Sequence, residues 1–163
     1  MILGMSLETY TLTHVVISLI GIATGFIVLF GMLAGKLLKP WNGIFLLTTV
    51  LTSLGGYLFP YTHLLPSHII GALSLIVLAI AIAALYAFHL NGAWRRTYVI
   101  TALIALYFNV FVLVVQTFLK VPAIHALAPT QTEPPFKIAQ LFVLVLFIAL
   151  IVAAAKKFRN PLT

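Results

Sequence analysis

Five apolar segments, each about as long as a bilayer is thick, dominate this sequence of 163 residues. A helix needs about 20 mainly apolar residues to cross the hydrocarbon, and lipid requires its backbone groups to pair within the segment. A stretch such as 73–85 shows none of the alternation of a barrel strand. The sequence therefore predicts an all-α integral membrane helical bundle, forming a single transmembrane domain. Its five transmembrane helices are predicted near 11–34, 42–60, 67–90, 97–119 and 136–155.

The composition excludes an ordinary water-soluble fold. Hydrophobic residues make up 63% of the chain and charged residues 7%, whereas a soluble domain carries about a quarter charged residues. We therefore expect the lipid bilayer to be the main partner. The net charge of +7 does not indicate a nucleic-acid partner, because the lysines and arginines lie between the apolar segments. Cysteine is absent, which excludes disulfides and thiolate chemistry.

The positions of the charges predict how the chain crosses the membrane. Lysines and arginines accumulate on the cytoplasmic side of membrane proteins. Both glutamates and two lysines fall on the other predicted side, which includes a long, proline-rich loop over residues 120–135. The N-terminus is therefore predicted outside and the C-terminus in the cytoplasm, as a multi-pass protein of the cell inner membrane. The seven cations assigned to the cytoplasm are Lys36, Lys39, Arg95, Arg96, Lys156, Lys157 and Arg159.

Polar side chains collect near the predicted outer boundary. At 1.5 Å per residue, several of them lie within about two helical turns of it. Two tyrosines spaced four residues apart can share a helix face there. We interpret this group as an outward-facing pocket that binds a metal, haem, quinone or lipid without converting it. The predicted pocket residues are His14, His68, Tyr57, Tyr61, Gln116 and Gln140.

Histidines provide the candidate metal ligands. His14, His63, His68 and His125 all fall on the predicted outer side. The positive helix N-terminus favours a neutral imidazole at His68, and two neutral histidines on facing helices, such as His14 and His68, could hold a b-type haem. No H-x-x-x-H, H-x-x-H or E-x-x-H spacing occurs in the sequence. The alternative is that these side chains are interfacial and reach water.

The fourth predicted span carries two carboxamides on one face. Asn109 lies near its middle and Gln116 is seven residues further on. With Thr48 and Thr52 of the second span they predict a polar seam, which is either interhelical hydrogen bonding or the path of a small pore or uniporter. No Asp, Glu, Lys or Arg lies deep inside a predicted span, which disfavours an ion-coupled carrier.

The first predicted span contains two Gly-x-x-x-Gly pairs. Such spacing lets helices approach closely in a membrane. We predict packing within the chain, with a homo-oligomer or assembly into a larger membrane complex as the alternative. No nucleophile–base pair is recognisable, so the sequence disfavours an enzyme, although residues distant in the sequence could still converge in space. The four glycines are Gly21, Gly25, Gly31 and Gly35.

Overall fold

The computed structural model describes residues 1–159, and this part of the chain is all-helical, as predicted. The 3-10 turn Gly56–Leu58 continues the second helix, and the π-helical turn Ala83–Ala87 continues the third. Within the described residues, β pairing is limited to an isolated bridge between Ile2 and Met5. The α-helices are α1 (Leu7–Leu33), α2 (Lys39–Gly55), α3 (Pro66–Ile82), α4 (Trp94–Lys120), α5 (Pro122–His125) and α6 (Pro134–Lys157).

Four helices of the described chain are long and apolar enough to cross a membrane. They are α1, α3 with its π-helical turn, α4 and α6. The sequence predicts a fifth span at 42–60, and α2 occupies most of this segment with 17 residues. At 1.5 Å per residue α2 is about 25 Å long, which is shorter than the about 30 Å of a hydrocarbon core. The helical path stops before Pro60, because a proline disfavours helical backbone at the residue before it, here the extended Phe59.

Helix α1 has well-formed ends. The Ser6 hydroxyl accepts a hydrogen bond from the Thr9 N–H at 3.2 Å, which satisfies one of the free donors of the first turn. At the other end Gly35 adopts a left-handed φ of +72°. The Lys36 N–H donates to the Gly31 carbonyl at 2.8 Å, as in a Schellman motif. Gly31 and Gly35 therefore form the end of α1, where a Cβ on Gly35 would lie 3.6 Å from the Lys157 carbonyl of α6.

The other glycine pair brings α1 against two neighbours. A Cβ on Gly21 would lie 3.4 Å from the Thr49 hydroxyl, and a Cβ on Gly25 would lie 2.9 Å from the Phe45 ring. Moving forward along α1 thus means moving backward along α2, so the two helices are antiparallel. A Cβ on Gly25 would also lie 2.5 Å from Leu106 of α4. Both glycines therefore pack α1 within the chain.

The long helices alternate in direction through the bundle. The side chains of Ser53 and Ser74 hydrogen-bond at 3.2 Å, between α2 and α3. Phe88 stacks on Trp94 where the chain turns from α3 into α4, with ring centroids 4.0 Å apart. Helices α1, α3 and α6 therefore begin at one end, which we call the N-terminal end of the bundle, and α2 and α4 finish there.

The two halves of the bundle differ in packing. In the half away from the N-terminal end, large side chains of α1, α2 and α4 are fully buried against one another. In the half near the N-terminal end the helices enclose a cavity, described below. This difference confines any internal site to one half of the molecule. The main residues of the packed half are Val28, Leu29, Phe45, Leu46, Leu103 and Leu106, each at most 3% exposed.

The long segment between α4 and α6 folds back on α4. The His125 Nδ1 lies 2.9 Å from the Phe118 carbonyl, and the Gln131 amide donates to the Val115 carbonyl at 3.0 Å. Desolvation raises the pKa of the Glu133 carboxyl, but hydrogen bonds from the Thr130 and backbone groups around it together hold that pKa below its ordinary value. Lys120 and Val121, at the start of this segment, line the cavity, and residues 122–135 do not. The segment is thus a connector tied to α4 and does not form a lid.

Candidate functional site

A cavity of about 500 Å³ lies between α1, α2, α3 and α4 near the N-terminal end of the bundle. This size falls within the range of small-molecule sites. Its walls are mostly apolar, with Leu19 and Ile22 on α1, Ile70 on α3, and Phe108 and Val112 on α4. The polar residues among the lining are Thr11, His14, Ser18, Thr52, Ser53, Tyr61, Ser67, His68, Ser74, Asn109, Gln116, Thr117 and Lys120.

The cavity gathers four of the six predicted pocket residues, namely His14, Tyr61, His68 and Gln116. Tyr57 stands behind this wall. Its hydroxyl donates to the His68 carbonyl at 2.5 Å, and its ring lies 5.4 Å from the His68 ring. Tyr57 therefore supports the start of α3 and does not line the cavity.

Gln140 lies elsewhere, on α6. Its amide donates to the Phe111 carbonyl of α4 at 3.2 Å, and its Oε1 is buried without a hydrogen-bond partner among the described residues. Phe111 is on a different face of α4 from the cavity-lining Asn109 and Val112. The structure thus places Gln140 away from the other predicted pocket residues.

His68 is held in one protonation form by the start of α3. Its Nδ1 accepts a hydrogen bond from the Leu65 N–H at 2.9 Å. A ring nitrogen that accepts carries no proton, so the imidazole is the neutral form with hydrogen on Nε2. This Nε2 has no hydrogen-bond partner within residues 1–159. The sequence suggests Ser67 as the helix cap, whereas the N-cap is Leu65, with Pro66 as the first helical residue. The His68 side chain accepts from the backbone N–H of this N-cap residue.

His14 is tied to α2. Its Nε2 lies 3.0 Å from the Thr52 carbonyl, and since a carbonyl can only accept, this nitrogen carries the hydrogen. The ring also meets Phe59 edge-on, with centroids 5.2 Å apart. Neither His14 nor His68 presents an Nε2 lone pair in this arrangement, so the geometry does not favour a haem held between them.

The four histidines predicted as metal ligands do not converge. His63 is exposed in the turn before α3, where its Nδ1 lies 3.2 Å from the Thr62 hydroxyl. His125 is bonded to the Phe118 carbonyl on the far side of α4. In the part of the chain that the structure describes, no three His, Asp or Glu side chains are grouped to hold a metal ion.

Three of the four residues of the predicted polar seam line the cavity, namely Thr52, Asn109 and Gln116. The Asn109 amide donates to the buried Thr49 hydroxyl at 3.2 Å. The Thr52 hydroxyl is fully buried without a partner among the described residues. The Gln116 carboxamide is half-buried and also has no hydrogen-bond partner among residues 1–159. Thr48 is outside the lining, and its hydroxyl donates to the Ile44 carbonyl at 2.7 Å.

Below the Asn109–Thr49 contact the cavity ends. About one helical turn further from the N-terminal end lie Phe45 of α2 and Leu106 of α4, which are both 0% exposed. Gly25 of α1 packs directly against these two side chains. The cavity is therefore closed beneath by a packed apolar layer, and its polar groups do not continue into the other half of the bundle.

A second buried polar pair lies in that other half of the bundle, and the sequence analysis did not predict it. The Tyr98 hydroxyl donates to the Asn42 Oδ1, and the Asn42 amide donates to the Leu38 carbonyl at 2.9 Å. Tyr98 is 0% exposed and Asn42 2% exposed. The sequence gives one indication of this pairing, which is that Asn42 and Tyr98 each lie near the start of a helix, α2 and α4 respectively. The pair joins α2 to α4 and has no access to the cavity.

The chemistry of the cavity is that of an uncharged site. Among its described lining residues there is no Asp or Glu, and Lys120 is the single Lys or Arg, placed where α4 ends. Hydroxyl, imidazole and carboxamide groups inside apolar walls suit a molecule with an apolar body and a neutral polar group. Comparisons of the chain with protein-family models, with curated proteins and with solved structures found no match.

Proposed function

We propose that this chain is an inner-membrane protein that binds a lipid-soluble, amphipathic small molecule in the cavity without converting it. The observation that carries the proposal is a mostly apolar cavity lined by His68 and Gln116, whose Nε2 and carboxamide have no hydrogen-bond partner among residues 1–159. Polar groups placed among apolar walls fix the orientation of a bound molecule through hydrogen bonds. A ligand that supplies those hydrogen bonds therefore gains both affinity and orientation.

We further propose that α2 is a fifth membrane crossing. Together with the turn Gly56–Leu58 it gives a continuous helical path of about 30 Å, close to the hydrocarbon thickness. Its polar side chains are turned inward, since Thr49 and Ser53 are buried. Its exposed side chains include Leu47, Leu51 and Leu54. A helix shielded in this way needs less apolar sequence to remain in a bilayer.

Five crossings put the two termini on opposite sides of the membrane. The seven cations near the ends of α1 and α6 and the start of α4 favour a cytoplasmic C-terminus. A fluorescent protein fused to the C-terminus is expected to fluoresce, and alkaline phosphatase fused at the same point is expected to be inactive. Fused at residue 63, between α2 and α3, the phosphatase is expected to be active. Reporters that place both chain termini in one compartment would contradict this threading.

Binding suits the cavity better than conduction does, because Phe45 and Leu106 close it beneath Asn109. A pore along the polar seam would need an opening through that layer. We therefore expect no solute flux above background when the protein is reconstituted into liposomes. Stable flux that Asn109→Leu abolishes would overturn the binding proposal in favour of a channel.

Filling the cavity tests the binding proposal directly. Ile22 lines the cavity, whereas Ile20 is 43% exposed on another face of α1. We expect Ile22→Trp to lower the amount of lipid-soluble molecule that co-purifies in mild detergent at least fivefold, because the indole occupies the space. Ile20→Trp is the matched control and should leave that amount unchanged. Mass spectrometry of solvent extracts measures both.

Two experimental results would contradict the binding proposal. A wild-type preparation that carries no bound molecule, and that takes up none of decylubiquinone, oleic acid or lysophosphatidylglycerol when each is added, would show that the cavity does not hold an amphipathic ligand. Equal retention by the Ile22→Trp and Ile20→Trp proteins would place any bound molecule outside the cavity.

A further inference from the structure

The cavity has an apolar rim between α1 and α4. These helices contact each other at Gly21 and Gly25 of α1, and on the N-terminal side of that contact both helices line the cavity. Val15 and Leu19 of α1 and Leu113 of α4 belong to the lining and are nevertheless 40%, 47% and 39% exposed. Side chains that face both the cavity and the surface mark its edge. The two helices therefore diverge and leave an opening.

The depth of this opening places it within lipid. Leu19 is twelve residues into α1, about 18 Å along a helix of about 40 Å. The hydrocarbon core is about 30 Å thick, so a residue near the middle of such a helix lies inside it. A molecule dissolved in the bilayer can thus reach the cavity sideways, without passing through water.

The polar groups of the cavity select a neutral headgroup. The His68 Nε2–H is a donor without a protein partner, because Nδ1 is occupied by the Leu65 N–H. The Gln116 carboxamide can both donate and accept. A phosphate or ammonium headgroup would need an opposite charge inside the cavity, and the lining offers Lys120 alone, at the end of α4. Carbonyl and hydroxyl oxygens on an uncharged ring match these groups.

Aromatic side chains form the wall beside the His68 donor. The Tyr61 ring lies 4.4 Å from the His68 ring, and Phe59, another lining residue, lies 5.2 Å from the His14 ring. Flat rings gain from packing on such surfaces at separations of about 4.5–7 Å. A flat ligand ring would therefore lie against Tyr61 and His68.

We infer that the cavity binds a quinone or quinol of the bilayer, with its ring at His68 and Gln116 and its apolar tail leaving between α1 and α4. This inference rests on the proposed function and names its ligand class. An oxidised ring accepts from the His68 Nε2–H and the Gln116 amide N–H. A reduced ring donates one hydroxyl to the Gln116 oxygen and accepts from the His68 Nε2–H at the oxygen of the other, so both forms find partners.

Binding of decylubiquinone to the full chain in lipid nanodiscs tests the headgroup contacts. We expect Gln116→Leu to weaken binding about tenfold, because one buried hydrogen bond is lost and a ligand oxygen is left unpaired. Gln116 has no protein partner among residues 1–159, so the variant is expected to fold. Gln140→Leu removes the same group outside the cavity and should change the Kd by less than about twofold. Equal weakening by both variants would overturn the placement of the ring.

The opening is tested by the rate of binding. Leu19→Trp places an indole on the rim, and we expect it to slow association of decylubiquinone at least fivefold in a stopped-flow experiment. Ile20→Trp adds the same bulk on the adjacent, lipid-facing position and should leave the rate unchanged. Identical association rates for the two variants would refute a route between α1 and α4.

Two further ligands separate failure of this inference from failure of the proposed function. If oleic acid or lysophosphatidylglycerol binds in a manner sensitive to Ile22→Trp while decylubiquinone does not bind, the quinone assignment is overturned and the binding function stands. If none of the three ligands binds, both are overturned. If decylubiquinone binds, and if Ile22→Trp and Gln116→Leu each weaken its binding, the result supports the quinone assignment and the proposed binding function.

Discussion

Gly25→Ala is expected to destabilise the folded bundle by about 1–3 kcal/mol, the usual cost of overpacking a core. The new Cβ would lie 2.5 Å from the Leu106 Cδ1 and 2.9 Å from the Phe45 Cε1. These side chains are both 0% exposed, so neither has free space into which it can move. Relief requires α1 to separate from α2 and α4, which would also open the floor of the cavity.

Unfolding in mixed micelles titrated with sodium dodecyl sulfate measures this change. Gly43→Ala is the matched control in α2, because a Cβ there would meet just the Tyr86 hydroxyl at 3.7 Å, an ordinary contact. It should be neutral or stabilising by up to about 1 kcal/mol, since alanine loses less backbone entropy than glycine in a helix.

A second substitution identifies the cause of the Gly25 effect. Leu106→Ala removes the atom that the new Cβ would meet first, so the double variant with Gly25→Ala should be more stable than the sum of the two single changes predicts. Wild-type stability of the Gly25→Ala variant would contradict the close packing at this glycine. A loss of stability that depends on protein concentration would indicate that Gly25 packs between two copies of the chain.

The sequence predicted the existence and approximate bounds of the long apolar helices well, because both follow from local properties. The last apolar segment was expected at 136–155, and α6 spans Pro134–Lys157. A run of apolar residues keeps its length whatever it packs against, so its boundaries can be read from composition. Whether α2 crosses the membrane was harder to predict, because its polar face packs against neighbouring helices that the sequence does not identify.

The direction in which a side chain points could not be predicted in the same way. Gln116 and Gln140 were expected at the same depth, and the rise of 1.5 Å per residue justifies that expectation. Gln116 faces the cavity, whereas Gln140 bonds to the Phe111 carbonyl on another side of α4. Which face a residue presents inward depends on how each helix is rotated against its neighbours. That rotation is set by contacts such as Gly25 with Leu106.

Local hydrogen bonds also give some residues roles that differ from those predicted from the sequence. His68 was expected to be neutral because of the helix dipole, and Ser67 was expected to cap α3. In the structure the N-cap is Leu65, and the His68 Nδ1 accepts from the Leu65 N–H. Gly35 was expected on a packing face, and its left-handed backbone places it beyond the end of α1. Both assignments depend on where a helix ends to within one residue, which is the least certain feature of a sequence-based reading.

The buried pair Tyr98–Asn42 gives the second large effect that we expect. Tyr98→Phe leaves the Asn42 Oδ1 without its partner, and Asn42→Leu leaves the Tyr98 hydroxyl unpaired. Each single change should destabilise the protein by about 1–3 kcal/mol, which is the cost of an unsatisfied buried polar group. Tyr107→Phe on the same helix is the control, because the Tyr107 hydroxyl has no hydrogen-bond partner in the described part of the chain.

The double variant Asn42→Leu/Tyr98→Phe decides whether the pair acts as a unit. It removes both polar groups together, so its stability loss should be smaller than the sum of the two single losses by about 1 kcal/mol or more. Additive losses would mean that each side chain contributes through packing alone. Because the pair lies beyond the closed floor of the cavity, quinone binding by the double variant should stay within about twofold of wild type under conditions where it remains folded. A larger loss of binding would mean that the two halves of the bundle are coupled through α2 and α4.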